Sequence, residues 1–193
     1  MYAVIGAGPM GLATARNLDK YGLPFVGFEL HGDVGGLWDI DNPHSTMYES
    51  AHLISSRHMT EFAEFPMEPS IAAYPHHAEM GQYFRDYAQH FGLYEHYRFH
   101  TRVVSLERAE TGWWLTSERA GERQTEHFEG VLIANGTLHH PRWPELPGEF
   151  SGELMHSCDY RHPERFDDKR VLVVGCGNSA CDIAVDAVHR ARS

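Results

Sequence analysis

The stretch Tyr2-Ala3-Val4-Ile5-Gly6-Ala7-Gly8-Pro9-Met10-Gly11-Leu12 decides the fold. Its first four residues form an apolar run suited to a buried parallel strand, which passes directly into Gly-x-Gly-x-x-Gly. Leu12, Ala15 and Leu18 then share one face of a helix that Gly22 stops. Each motif glycine has its own physical reason. Gly6 permits a tight turn, Gly8 lets the backbone approach a diphosphate closely, and Gly11 allows close helix–strand packing. The helix N-terminus adds unpaired N–H groups and the positive end of its dipole, so Ala7, Pro9 and Met10 belong to the same cradle. Phe25 to Glu29 reads as the next strand and completes strand, turn, helix, strand. These residues alone predict a bound dinucleotide.

Glu29 narrows the choice. A carboxylate at the end of the second strand accepts hydrogen bonds from ribose hydroxyls and repels a 2′-phosphate, so the first site suits FAD or NAD and not NADP. Gly35-Gly36-Leu37-Trp38 follows, where two glycines let the backbone pass close to a ligand and Leu37 and Trp38 offer apolar surface. Flavoproteins commonly add a Gly-Gly segment here, which favours FAD.

Outward from this unit, residues 39–75 are irregular and carry Pro43, Pro66, Pro69 and Pro75, while Tyr48, Phe62 and Phe65 imply that the segment packs. Glu79 to Leu93 has the spacing of an amphipathic helix, with Met80, Tyr83, Phe84, Tyr87 and Phe91 on its core face. Arg102 to Leu106, Trp113 to Thr116 and Gln124 to Phe128 read as a β-meander with turns at Thr111-Gly112 and Ala120-Gly121. Val131 to Ala134 is a buried strand ending in Asn135-Gly136, and Pro141 to Pro147 is a crossing linker. Lys169 to Val174 is expected to form a second buried strand, followed by Gly175-Cys176-Gly177-Asn178-Ser179-Ala180 and a helix to about His189. This repeats the opening logic, with Ala180 in the third position. Two dinucleotide motifs in one chain imply hydride transfer from a nicotinamide to a flavin, with Gly175, Gly177, Asn178, Ser179 and Ala180 on the nicotinamide side. Ala180 leans toward NADP, and NADH stays open.

Composition excludes other classes. The net charge of -11 disfavours nucleic acid and anionic lipid, both polyanions. No apolar run approaches the roughly 20 residues that span a bilayer. Three cysteines without pattern give neither a disulfide framework nor a zinc site, and the 15 histidines are scattered, so no metal is expected. The N-terminus lacks a signal sequence, which makes a cytoplasmic location the default.

The segment Phe150-Ser151-Gly152-Glu153-Leu154-Met155-His156-Ser157-Cys158-Asp159-Tyr160 matches the Phe-x-Gly-x-x-x-His-x-x-x-Tyr fingerprint of the flavin-containing monooxygenases. Gly-Gly-Leu-Trp, Phe62 to Pro66 and Ala134-Asn135-Gly136 align as well, so the chain resembles that family, within the wider class that includes the Baeyer–Villiger monooxygenases, over its whole length. The resemblance implies an α/β fold: a Rossmann-like FAD-binding domain of the two-dinucleotide-binding flavoprotein type over 1–147, with the meander at about 98–130. Residues 148–193 would hold the fingerprint and the incomplete beginning of a second Rossmann domain for NADP.

It also implies a monooxygenase in which NADPH reduces FAD, reduced flavin captures O2, and the C4a-hydroperoxide gives one oxygen to a small soft nucleophile such as a sulfide or amine. The fingerprint residues His156 and Tyr160 would couple NADPH binding to catalysis. In relatives that oxidise sulfur and nitrogen, an Asn beside the flavin follows a segment like Tyr48 to Leu53. Here that position is Ile54, which cannot donate a hydrogen bond, with Ser55 next to it as a substitute. Leu53 and Ile54 would face the FAD or the FAD/NADP boundary. Family members run beyond twice this length, so the chain reads as an N-terminal part, whose exposed apolar face would favour self-association. A truncated FAD-binding module without turnover and a flavin-dependent NAD(P)H oxidase or reductase are the competing readings.

Overall fold

A computed structural model describes all 193 residues. The opening stretch forms β1 (Tyr2–Ile5), α1 (Pro9–Lys20) and β2 (Phe25–Phe28), as its pattern predicts. Gly22 follows the helix at φ 63, the left-handed conformation expected of a C′ glycine. Then come α2 (Arg57–Thr60), α3 (His77–His90), β3 (Tyr97–Arg98), the meander β4 (Arg102–Arg108), β5 (Trp113–Arg119) and β6 (Glu122–Phe128), β7 (Gly130–Ile133), and α4 (Asn178–Arg190).

Four strands form a parallel sheet in the order β3-β2-β1-β7, and the meander forms a separate antiparallel sheet. Alternation along β1 assigns its two faces. Val4 points into a core built with Leu12, Ala15 and Leu18 of α1 and Met80, Phe84 and Tyr87 of α3. Ala3 and Ile5 point the other way, onto Phe28, Leu115 and Phe128, where the meander covers the sheet. The Phe28 and Phe128 rings meet edge to face at 5.9 Å. Both faces of the sheet are therefore covered around β1 and β2. The strand expected to be buried over Val131 to Ala134, however, is the edge strand β7, only partly buried and with Ile133 64% exposed.

Two further expectations are corrected. Lys169 to Val174 forms no strand: Leu172 is 83% and Val174 66% exposed. Its apolar run has no neighbouring strand to pair with, and only Val171 and Val173 rest against the α4 cluster. The helix expected over 79–93 runs from His77 to His90, and Leu93 to His96 makes a separate 3₁₀ turn. Its start lies two residues earlier because His76 caps it. The His76 Nδ1 accepts from Ala78 N, and the Glu79 carboxylate reaches back to accept from His76 N at 2.9 Å. Histidine is outside the usual N-cap set, so the sequence pattern did not mark it. Glu79→Ala is expected to lower the unfolding free energy by about 1 kcal/mol, the worth of a helix cap, as urea melts would show.

The segment before α3 is irregular but packed, as its aromatics imply: Met47, Tyr48, Ala51, Leu53 and Met67 are buried. Residues 141–147 are exposed throughout and form no regular element, consistent with a linker. No helix is long and apolar enough to cross a membrane.

Candidate functional site

The chain turns sharply out of β1. Gly6 sits at φ 101, its N–H donates to Phe28 O at 2.8 Å, and Ala134 N donates to Ile5 O at 2.8 Å. A Cβ on Gly11 would lie 1.9 Å from the Gly6 carbonyl oxygen, so the first turn of α1 rests directly on the strand end. Tyr97 supports the same oxygen from below, with its hydroxyl 3.3 Å away. Gly8 caps α1 without a side-chain hydrogen bond, and Pro9 has no N–H to satisfy. The N–H groups of Gly8, Met10 and Gly11 have no acceptor within the protein. They form a cluster of free donors at a helix N-terminus, where the dipole favours an anion.

Glu29 lies just beyond β2 and is 8% exposed. One carboxylate oxygen accepts from Ala7 N at 2.6 Å and the other from His31 N at 2.7 Å. It thus ties the glycine loop to the strand after it, a role the sequence did not show. A carboxylate has about four acceptor sites, so two remain for a ligand's hydroxyls. The Gly-Gly segment closes the other wall. Gly35 N donates to Ala7 O at 3.0 Å, and a Cβ on Gly36 would lie 2.9 Å from the Gly8 Cα. Leu37 and Trp38 form one 3₁₀ turn with Gly36, and Trp38 packs on both larger cores. The first motif, Glu29 and Gly-Gly-Leu-Trp thus form one cradle in which Gly6, Gly11 and Gly36 leave no room for a side chain.

The other expected residues are placed less uniformly. Leu53 is buried in the main core, whereas Ile54 is 74% exposed and the Ser55 hydroxyl pairs with Thr60 Oγ1 at 2.7 Å. At the second motif, Gly175 has φ 143, and a Cβ there would sit 3.2 Å from that of Ala180. The N–H groups of Gly177, Asn178, Ser179 and Ala180 have no acceptor, which makes a second cluster of free donors at the start of α4.

Half-buried His156 caps a 3₁₀ turn over Ser157–Asp159, its Nδ1 accepting from Cys158 N at 3.2 Å, and its ring meets Trp143. Tyr160 is fully buried, stacked on Phe166, and its hydroxyl donates to Asp186 Oδ2 at 2.7 Å. Burial and that carboxylate push the phenol well above its ordinary range. Glu49, His162 and Glu164 meet on the exposed surface, where His162 Nδ1 lies 3.3 Å from Glu49 Oε2.

Sequence reasoning missed Tyr48, Asp182 and Asp186. Tyr48 donates to Asp182 Oδ2 at 2.6 Å, and Ser50 donates to Asp186. Two acids one turn apart on the otherwise apolar helix after the second motif were the available signal.

The profile of the flavin-binding monooxygenase-like family matches residues 1–193. Flavin-containing monooxygenase 5 of Oryctolagus cuniculus is 36% identical over 98% of this chain and 38% of its own length. S-allyl-L-cysteine S-oxygenase from Allium sativum superposes with a TM-score of 0.91 at 30% identity, over 99% of this chain and 49% of that one. The structure of OTEMO in complex with FAD and NADP superposes with a TM-score of 0.75 at 28% identity, over 99% of this chain and 37% of that one. The chain thus spans well under half the length of the curated relative.

Proposed function

This chain belongs to the flavin-binding monooxygenase-like family, and from that membership and its two amide clusters we propose that it binds FAD at Gly6–Gly11 and NADPH at Gly175–Ala180. The reaction it serves transfers one oxygen of O2 to a small soft nucleophile, a sulfide or an amine. The observation that carries this reading is the first cradle: three unpaired N–H groups at a helix N-terminus, walled by Gly36 and flanked by buried Glu29.

In that cradle Gly8, Met10 and Gly11 would donate to the FAD diphosphate, and Glu29 would accept from a ribose hydroxyl with the lone pairs that Ala7 and His31 leave free. Leu37 and Trp38 would bound the site on its apolar side. The free N–H groups of Gly177 to Ala180 would hold the NADPH diphosphate in the same way. Bound flavin supplies the redox chemistry, taking hydride from nicotinamide and activating O2. The protein positions both dinucleotides and keeps water from the flavin.

The relative from Allium sativum is an S-oxygenase by name, which supports a sulfur substrate. Ile54 favours a second reading. Its exposed aliphatic side chain offers no hydrogen bond beside the flavin, and the neighbouring Ser55 hydroxyl is engaged with Thr60. Under that reading the chain serves an NAD(P)H oxidase whose product is hydrogen peroxide.

The test is to purify the chain with FAD, then follow NADPH consumption with a thioether present. The expected result is a yellow protein that forms sulfoxide in step with NADPH use. Hydrogen peroxide in place of sulfoxide establishes the second reading. A colourless protein that takes up no FAD overturns both.

A further inference from the structure

Asp182 and Asp186 stand one turn apart on α4, the helix that begins at the second amide cluster. Tyr48 donates to Asp182 Oδ2 at 2.6 Å, while Ser50 and Tyr160 both donate to Asp186 Oδ2, Tyr160 at 2.7 Å. The three hydroxyls come from two segments remote in sequence. One runs on to Leu53 and Ile54, and the other is the end of the fingerprint.

Those segments are joined to each other as well. Glu49 N donates to Arg161 O at 2.8 Å, and the Arg161 guanidinium donates to Ser45 O at 2.5 Å. Met47, Ala51, Phe166, Ile183 and Ala187 fill the space around the network.

Packing alone does not account for the two acids. Like charges four residues apart weaken a helix, and carboxylates withdrawn from water are costly unless hydrogen-bonded. The nearby arginine, Arg190, pairs with Glu164 and Asp167 instead. Apolar side chains would bury the same face at lower cost but would leave the helix free to slide or rotate, whereas hydroxyl–carboxylate bonds are directional. Burial and the aspartates hold both phenols far above their ordinary range, so they remain donors; the Ser179 hydroxyl pulls weakly against this at Tyr48. Ser179, part of the second motif, stands three residues before Asp182 on the same helix, so the network begins one turn from that site.

We propose that Asp182 and Asp186 are positioning residues that fix the second amide cluster against the segment leading to Ile54, and so set the placement of the NADPH site relative to the FAD site. This rests on the two-dinucleotide reading above. Neither aspartate needs to touch a cofactor; each acts through the orientation of α4.

The test compares Asp186→Ala, Asp186→Asn and Asp182→Ala with the unaltered, FAD-loaded chain. It measures NADP+ affinity by flavin difference spectra, FAD affinity, and amide exchange across residues 45–51 and α4. Expected is an NADP+ affinity lowered about tenfold or more by either alanine, the scale of a misplaced binding group, with faster exchange in both segments. Asp186→Asn, which keeps one acceptor oxygen, should fall between. FAD affinity should fall less than NADP+ affinity, since none of the network's hydrogen bonds involves the Gly8, Met10 or Gly11 donors, although Leu37 and Trp38 pack on the same cluster.

Unchanged NADP+ affinity overturns the proposal. So does a parallel loss of FAD affinity, NADP+ affinity and melting temperature, which marks a merely structural network. If the alanine variants fail to fold, Tyr48→Phe and Ser50→Ala each remove one donor and keep the packing; wild-type NADP+ affinity in both overturns it equally. An unaltered chain that holds FAD but no NADP+ sinks the NADPH reading and this proposal together, and is recognised because the failure precedes any substitution.

Discussion

Gly11→Ala is expected to abolish FAD retention and to lower the melting temperature. The added methyl would lie 1.9 Å from the Gly6 carbonyl oxygen and 2.8 Å from the carbonyl carbon, well inside contact distance. Neither partner is a flexible side chain. Gly6 is held by its N–H bond to Phe28 O, and the Tyr97 hydroxyl, 3.3 Å from that same methyl, closes the remaining direction. Alanine inside a helix otherwise gains about 1 kcal/mol over glycine, so propensity and packing pull in opposite directions. Overpacking against backbone costs about 1–3 kcal/mol and sometimes more, and packing wins. Relief requires α1 to move away from β1, which carries the Gly8, Met10 and Gly11 donors off the diphosphate. A shift of that size is expected to weaken FAD binding by roughly 100-fold. Flavin absorbance per protein after gel filtration, with a thermal melt on the same sample, decides the matter. A yellow Gly11→Ala protein with an unchanged melt would refute it.

The parts of this fold that the sequence disclosed are those whose physics is local. The first cradle was legible because strand, glycines and helix are contiguous and Gly11 packs on the Gly6 carbonyl within the same unit, although Gly6 itself is closed in by Ala134 from a distant strand end. The meander was legible from alternation and from Thr111-Gly112 and Ala120-Gly121. The exposure of Leu172 and Val174 was not, because an apolar run states only that a strand there would be buried, and the partner strand must come from elsewhere. The start of α3 was missed for a chemical reason: a histidine ring nitrogen fills the capping place that a Ser, Thr, Asp or Asn oxygen usually takes, with Glu79 three residues on. The contacts of Tyr160 with Asp186 and of Tyr48 with Asp182 join residues 26 and 134 positions apart, which no spacing rule reaches. The fingerprint marked Tyr160 as notable, but its place in a partly buried hydroxyl–carboxylate network follows only from three dimensions.

Glu29 is where local and remote physics meet, and its two roles can be separated by substitution. In the folded chain its carboxylate satisfies two N–H groups, Ala7 at 2.6 Å and His31 at 2.7 Å, in a position 8% exposed. Glu29→Ala leaves both donors without an acceptor. An orphaned buried donor costs about 1–3 kcal/mol, so two together should destabilise the chain by roughly 2–5 kcal/mol. Glu29→Gln keeps the shape and one acceptor oxygen, but turns an NH2 group toward the other N–H, so about half that loss is expected. If holding the loop were its whole purpose, FAD affinity would fall in proportion to stability across the two variants. If Glu29 also accepts from the ribose, Glu29→Gln must lose more affinity than its stability accounts for, because a charge-assisted acceptor becomes a neutral one. That excess should be about tenfold in FAD affinity, measured by titrating stripped protein with FAD below the melting temperature of each variant. Proportional losses would leave Glu29 as a loop anchor and remove the ribose contact from the FAD assignment, which would then rest on the amide cradle and the Gly35-Gly36 wall alone.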